Sequence, residues 1–166
     1  MPDPSASLTL LQRRELEAQI VGPLIRAFIA EFGRDRTLQL LEKTITNLAH
    51  AAGSELASQL GTNDLAAFSA CLDQWRAGGA LEIELLEQSS EQLSFNVTRC
   101  QFAEMYHRLG LADLGGSLSC CRDSALVQGF NPQIKLTRTQ TIMQGASCCD
   151  FRFRTETPDP NLGERD

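Results

Sequence analysis

Apolar residues recur at helical spacing through the first part of the chain. Leu16, Ile20, Leu24 and Phe28, with Ile25 and Ile29 beside them, predict a helix from Leu8 to Phe32. Gly22-Pro23 is expected to kink or divide it, and Gly33 is placed to end it. Leu38, Leu41, Ile45, Leu48 and Ala52 predict a second helix over Arg34 to Leu60. A break follows at Gly61-Thr62-Asn63-Asp64, with Thr62 or Asn63 as the N-cap. A third helix runs from Leu65 to Ala77 and closes at Gly78-Gly79.

The period then changes to two. Leu81, Ile83 and Leu85 alternate with Glu82 and Glu84, and Leu93, Phe95 and Val97 alternate with Ser94, Asn96 and Thr98. With Gln88-Ser89-Ser90-Glu91 as the turn, this is a hairpin. A short helix is expected over Cys100 to Leu109 and another over Leu118 to Gln128. Two more strands, Ile134–Ile142 and Ser147–Thr155, join through Met143-Gln144-Gly145-Ala146. The order is N-terminal helices followed by ββααββ, which predicts an α+β fold with a four-stranded antiparallel sheet. The divisions expected are a helical region over 1–79, an α+β region carrying the site over 80–156, and a disordered tail over 157–166. Residues 1–7 read as a frayed end.

The 166 residues suit one domain, and an apolar share of 42% supports a sizeable core. No apolar run approaches the roughly 20 residues that a membrane span needs. The start, Met1-Pro2-Asp3-Pro4-Ser5, has no basic region leading into an apolar one. A soluble cytoplasmic protein with no membrane partner is the expectation. The net charge of −6 argues against a nucleic-acid partner. Arg122, Lys135, Arg138, Arg152 and Arg154 nevertheless cluster among few acids, a pattern compatible with a local pocket for a small anion.

Six cysteines raise three kinds of chemistry. Adjacent pairs, Cys120-Cys121 and Cys148-Cys149, do not resemble a disulfide framework, and free thiols are expected. Cys120 and Cys121 open a helix, where amides and the helix dipole would lower a thiol pKa, and Asp123 follows two residues on. Cys149 shares a strand face with Phe151 and Phe153; such a cysteine ordinarily serves as a small hydrophobe. Arg138 falls on the same face as Ile134, Leu136 and Ile142. A guanidinium there either pairs with an acid or clamps a substrate carboxylate. His107 can share a helical face with Glu104 and Cys100, and His50 lies among alanines; a solvated or packing role is the ordinary one for each. P-loop, GxGxxG, HExxH and GxSxG motifs are absent.

The stretches Val97-Thr98-Arg99-Cys100-Gln101-Phe102-Ala103-Glu104-Met105-Tyr106-His107-Arg108-Leu109-Gly110, Cys121-Arg122-Asp123 with Gly129-Phe130-Asn131-Pro132, and Leu136-Thr137-Arg138-Thr139-Gln140-Thr141-Ile142-Met143-Gln144-Gly145-Ala146 leading into Cys149-Asp150-Phe151-Arg152 occur in that order. Together they resemble the L-2-amino-thiazoline-4-carboxylate hydrolase family, most strongly over residues 93–154. The resemblance implies hydrolysis of a non-peptide C–N or C–S bond in a small cyclic carboxylate. It implies Cys121, Asp123, Cys149 and Asp150 as catalytic residues and Arg138, Cys100 and Tyr106 as substrate-binding ones. The family pattern often carries a histidine just before the Cys-Asp-Phe block, whereas this chain has Cys148.

Three expectations result. The chain is a hydrolase opening a thiazoline-like ring, by cysteine-assisted attack on an amidine-like carbon, with Arg138 on the carboxylate. The alternative is a non-catalytic small-anion-binding or sensor module of the same fold. No cofactor is expected; the competing reading is zinc on Cys100, Cys121 and Cys149 with Cys148 or an aspartate. The first helix is apolar beyond one stripe, from Leu10 and Leu11 to Phe32, which predicts a homo-oligomer through the N-terminal helices.

Overall fold

The computed structural model of the chain describes residues 8–156. The frayed start expected at 1–7 and the tail expected at 157–166 lie outside the described residues. Helix α1 (Leu10–Phe32) opens with a capping box: the Thr9 hydroxyl accepts from the Gln12 N–H, and the Gln12 side chain accepts from the Thr9 N–H. It runs unbroken through Pro23, so the expected division does not occur. Gly33, at φ 84°, ends α1 and starts α2 (Arg34–Leu60).

The third predicted helix is two: α3 (Leu65–Ala70) and α4 (Leu72–Arg76). Its N-cap is Asp64, whose carboxylate accepts from the Ala67 N–H at 2.7 Å, not Thr62 or Asn63. The hairpin β1 (Leu81–Gln88) and β2 (Gln92–Cys100) follows as expected. After it come α5 (Gln101–Arg108), the short α6 (Ala112–Gly115), a π-helical turn over Gly116–Cys120 and α7 (Arg122–Phe130). Strands β3 (Ile134–Thr137) and β4 (Cys149–Thr155) complete a four-stranded antiparallel sheet in the order β1-β2-β4-β3.

Strand β3 is shorter than predicted, for a specific reason. The N–H groups of Thr139 and Gln140 donate to the Asp150 carboxylate, each at 2.9 Å, instead of continuing the ladder. The chain then makes a 3-10 turn over Ile142–Gln144. Thr141 caps the turn, and Gly145 closes it at φ 92°.

The inner sheet face pairs Leu93 with Phe153, Phe95 with Phe151 and Val97 with Cys149. Phe95 and Phe151 stack at 5.0 Å, and Phe68 of α3 meets Phe153 at 5.2 Å. Full burial of each such ring contributes roughly 1.5–3 kcal/mol. Helix α2 packs most closely on α7, where two glycines permit backbone contact. A Cβ at Gly53 would lie 2.0 Å from the Leu126 carbonyl oxygen, and one at Gly129 would lie 1.9 Å from that of His50.

Helix α1 buries Ala18, Gly22 and Ile25, with Gly22 against Leu111. Its opposite face stays uncovered: Leu16, Ile20, Leu24, Phe28 and Phe32 are all exposed, Ile20 at 74%. The internal packing of the helices therefore leaves this apolar excess outside the core. Among the described residues no helix is long and apolar enough to cross a membrane.

Candidate functional site

An apolar cavity of about 130 Å³ lies between the sheet and the helices. Strands β2 and β4 contribute Phe95, Val97, Cys149 and Phe151; α4 contributes Trp75. Residues from Ser119 to Leu126 form the opposing wall, with Ser119, Cys120, Asp123 and Leu126 at helical spacing. Arg138, immediately after β3, reaches the same space. Cavities of about 150 Å³ lined by aliphatic and aromatic groups admit a benzene-sized ring.

The polar features of this cavity are concentrated on one side. Arg138 donates through Nη1 to the Asp123 carboxylate and through Nη2 to the Cys120 carbonyl at 3.1 Å. Its guanidinium sits 5.2 Å from the centre of the Phe151 ring. The Arg138 side chain is 16% exposed. The Asp123 side chain keeps 34% exposure, yet Asp123 lines the cavity and is closely surrounded by protein. Burial pushes the Asp123 carboxyl above its ordinary range and outweighs the opposing pull of Arg138. Arg14 and Arg122 also line the cavity; Arg122 adds a weaker pull on the Asp123 carboxylate, whereas Arg14 pairs with Glu17. Arg122 donates from Nε to the Leu118 carbonyl at 2.9 Å.

Three thiols border the cavity: Cys100, Cys120 and Cys149. Burial pushes all three upward, and the nearby Asp123 adds to this, with Cys120 reaching about 12. Cys149 accepts a hydrogen bond from the Ile142 N–H at 3.2 Å. Cys121 points elsewhere. Its Sγ donates to the Ser117 carbonyl at 3.0 Å, and burial with Glu42 nearby raises it to about 11. The lowering expected for thiols at a helix start is thus reversed, because loss of solvent outweighs the helix dipole. All six cysteines are free. Among the described residues no three histidine, cysteine or acidic side chains are grouped to hold a metal ion.

The sequence-predicted residues divide between this cavity and other places. Cys100, Asp123, Arg138 and Cys149 line it together. Cys121 lines a neighbouring open hollow with Glu42 and Ser117, which meets the cavity at Cys120, Arg138 and Met143. Tyr106 is buried and lines an adjoining cavity between α1, α2 and α5 with Glu17, Val21 and Ile45, which shares Arg14 and Arg122 with the first; burial raises its hydroxyl to about 12. Asp150 is engaged by the Thr139 hydroxyl at 2.6 Å and by the Thr139 and Gln140 amides. Burial opposes its ionisation, but these donors prevail and lower it. Cys148 accepts from the Gln140 side-chain amide at 3.1 Å. His107 and His50 are exposed. The cavity-lining residues not singled out from sequence include Arg14, Trp75, Ser119 and Leu126. Of the two thiols named at this helix start, Cys120 lines the cavity, three residues before Asp123 on one helical face.

Comparison with solved structures gives the fold independent support. The chain is similar to trafficking protein particle complex subunit 3 from Naegleria fowleri, whose structure is covalently bound to palmitic acid: TM-score 0.52, 10% identity, covering 87% of this chain and 96% of that one. It is also similar to the phenol-responsive sensory domain of the transcription activator PoxR with phenol: TM-score 0.54, 12% identity, covering 83% and 74%. No curated protein matches the sequence. The model of the L-2-amino-thiazoline-4-carboxylic acid hydrolases matches residues 13–153, which takes in every wall of the cavity except Leu10, and the chain belongs to that family.

Proposed function

We propose that the protein is a hydrolase that takes a small, flat cyclic carboxylate into this cavity and opens its ring. The observation that carries the proposal is one apolar, ring-sized cavity bearing Arg138, Arg122 and Asp123 on its wall. The apolar side chains suit the ring, and Arg138 receives the carboxylate through the N–H groups it does not give to Asp123 and the Cys120 carbonyl. Family membership supports the reaction class.

Asp123 is the group best suited to move protons. Its raised position in an apolar surrounding brings it toward the range useful in acid–base catalysis. Water adds to the amidine-like ring carbon while Asp123 accepts its proton. The resulting tetrahedral centre expels the ring sulfur or the ring nitrogen. Asp123 returns the proton to that leaving atom, and the product is an open-chain carbamoyl compound. The cavity thiols contribute shape and weak donors in this scheme, because burial holds them protonated.

The second reading is a binding or sensor module. It is favoured by the protonated thiols, which leave the site without an activated cysteine nucleophile. It is also favoured by the two structural neighbours, one covalently bound to palmitic acid and the other a sensory domain with phenol. The two readings separate on incubation with 2-amino-thiazoline-4-carboxylate. Loss of the ring compound with appearance of a carbamoyl product, abolished in Asp123→Asn, supports the enzyme. A rise in Tm with the compound recovered intact supports the binder. Neither effect would refute the site.

A further inference from the structure

We propose that α1 is the interface of a two-fold homodimer in which two copies of this helix pair antiparallel. The exposed face of α1 is a stripe opposite the core, built on Leu16, Ile20, Leu24 and Phe28 at every fourth position. Ile20, the most exposed of these, lies at its middle. Isolated exposed apolar residues are ordinary, but a contiguous row of this length on a surface helix marks a contact.

The order of residues along the stripe identifies the occupant as a second copy. A two-fold axis at the height of Gly22 places Leu16 against Phe28 of the other copy and Ile20 against its Leu24. The same operation places Arg13 against Glu31. Both lie on the exposed face, and neither has an ion-pair partner among the described residues. The stripe is thus self-complementary in size and in charge under one rotation, as an isologous interface requires. A membrane surface would instead call for basic residues along both margins of an amphipathic helix. Here the carboxyl end carries Glu31, and the whole chain is acidic.

Light scattering on the full chain, with sedimentation velocity across a concentration series, tests this. The expected mass is twice the 18.2 kDa of one chain. Ile20→Glu should give the single-chain mass with an unchanged far-UV spectrum. Arg13→Glu should weaken association at least tenfold at low salt, and Arg13→Glu with Glu31→Arg should restore it. A single-chain mass for the wild type at 100 micromolar, on the order of the concentrations where weak contacts persist, would overturn the proposal. So would a dimer indifferent to Ile20→Glu or to the charge reversals.

Discussion

Arg138 and Asp123 meet across the wall of the apolar cavity, one delivered by the end of β3 and the other by the first turn of α7. Each is held by the other, and Arg138 also holds the Cys120 carbonyl. The pair therefore ties the end of β3 to the start of α7 and places charge on the cavity wall beside Arg122.

Removing both partners should cost less than the sum of removing each. Arg138→Met leaves a half-buried carboxylate unpaired, and a loss of about 1–3 kcal/mol in unfolding free energy is expected. Asp123→Leu should cost a similar amount. In the double variant the two costs should fall well short of additivity, with a coupling of about 1 kcal/mol or more. Urea unfolding of the four proteins reads this directly; strict additivity would mean the two side chains do not interact.

The α2–α7 contact should tolerate no side chain at its closest points. Gly53→Ala and Gly129→Ala each drive a methyl group into a backbone carbonyl, so the helices must separate. A cost of about 1–3 kcal/mol is expected for each, a fall in Tm of roughly 2–4 °C per kcal/mol. Gly116→Ala, where a Cβ meets nothing within 4 Å, is the control and should leave Tm nearly unchanged.

Two aspartates should shape acid stability with opposite signs. Hydrogen bonds from Arg26, chiefly, and from Arg34 hold Asp113 down at about 2, against an ordinary value of 3.8. The folded protein binds fewer protons there than the unfolded chain. Its contribution is present above about pH 4 and is lost as pH falls toward 2. Asp113 is 42% exposed, so solvent screening limits the effect to about 1 kcal/mol. Asp123 is raised, so its folded form binds more protons, and its contribution falls as pH rises from the ordinary carboxylate value to the raised one. Asp113→Asn should lose its disadvantage near pH 2, whereas Asp123→Asn should gain relative to wild type over that higher interval. Chemical unfolding from pH 2 to 7 measures both; parallel profiles would contradict these shifts.

The cavity thiols should be slow to alkylate in the folded protein. With Cys120 near 12 and Cys100 and Cys149 also raised, the thiolate fraction at pH 8 is small and access is restricted. Mass spectrometry after a short iodoacetamide pulse should show these three unmodified in the native state and all six cysteines modified in urea. Fast labelling of Cys149 in the folded protein would reinstate it as a nucleophile.

The strands were readable where side-chain alternation alone decides them. The inward face Cys149, Phe151, Phe153 follows from period two and occurs in β4. The inward direction of Arg138 was readable in the same way, though the strand beneath it was not. The carboxylate of Asp150 captures the backbone donors at Thr139 and Gln140, a tertiary event that local pattern does not encode. The choice between Cys120 and Cys121 was hidden by the π-helical turn at Gly116–Cys120. There the Cys121 N–H reaches back to the Gly116 carbonyl, which shifts the phase of every following residue. Tyr106 belongs to a block shared with the family, yet it serves a different cavity, because α5 turns that face toward α1 and α2.

The most direct test of the central claim is a crystal structure of the protein soaked with 2-amino-thiazoline-4-carboxylate, with an Arg138→Met crystal as comparison. The account predicts a ring between Phe95, Val97 and Phe151, its carboxylate on the Arg138 guanidinium, and no ligand in the Arg138→Met crystal. A ligand bound elsewhere, or bound in this cavity equally well without Arg138, would contradict it.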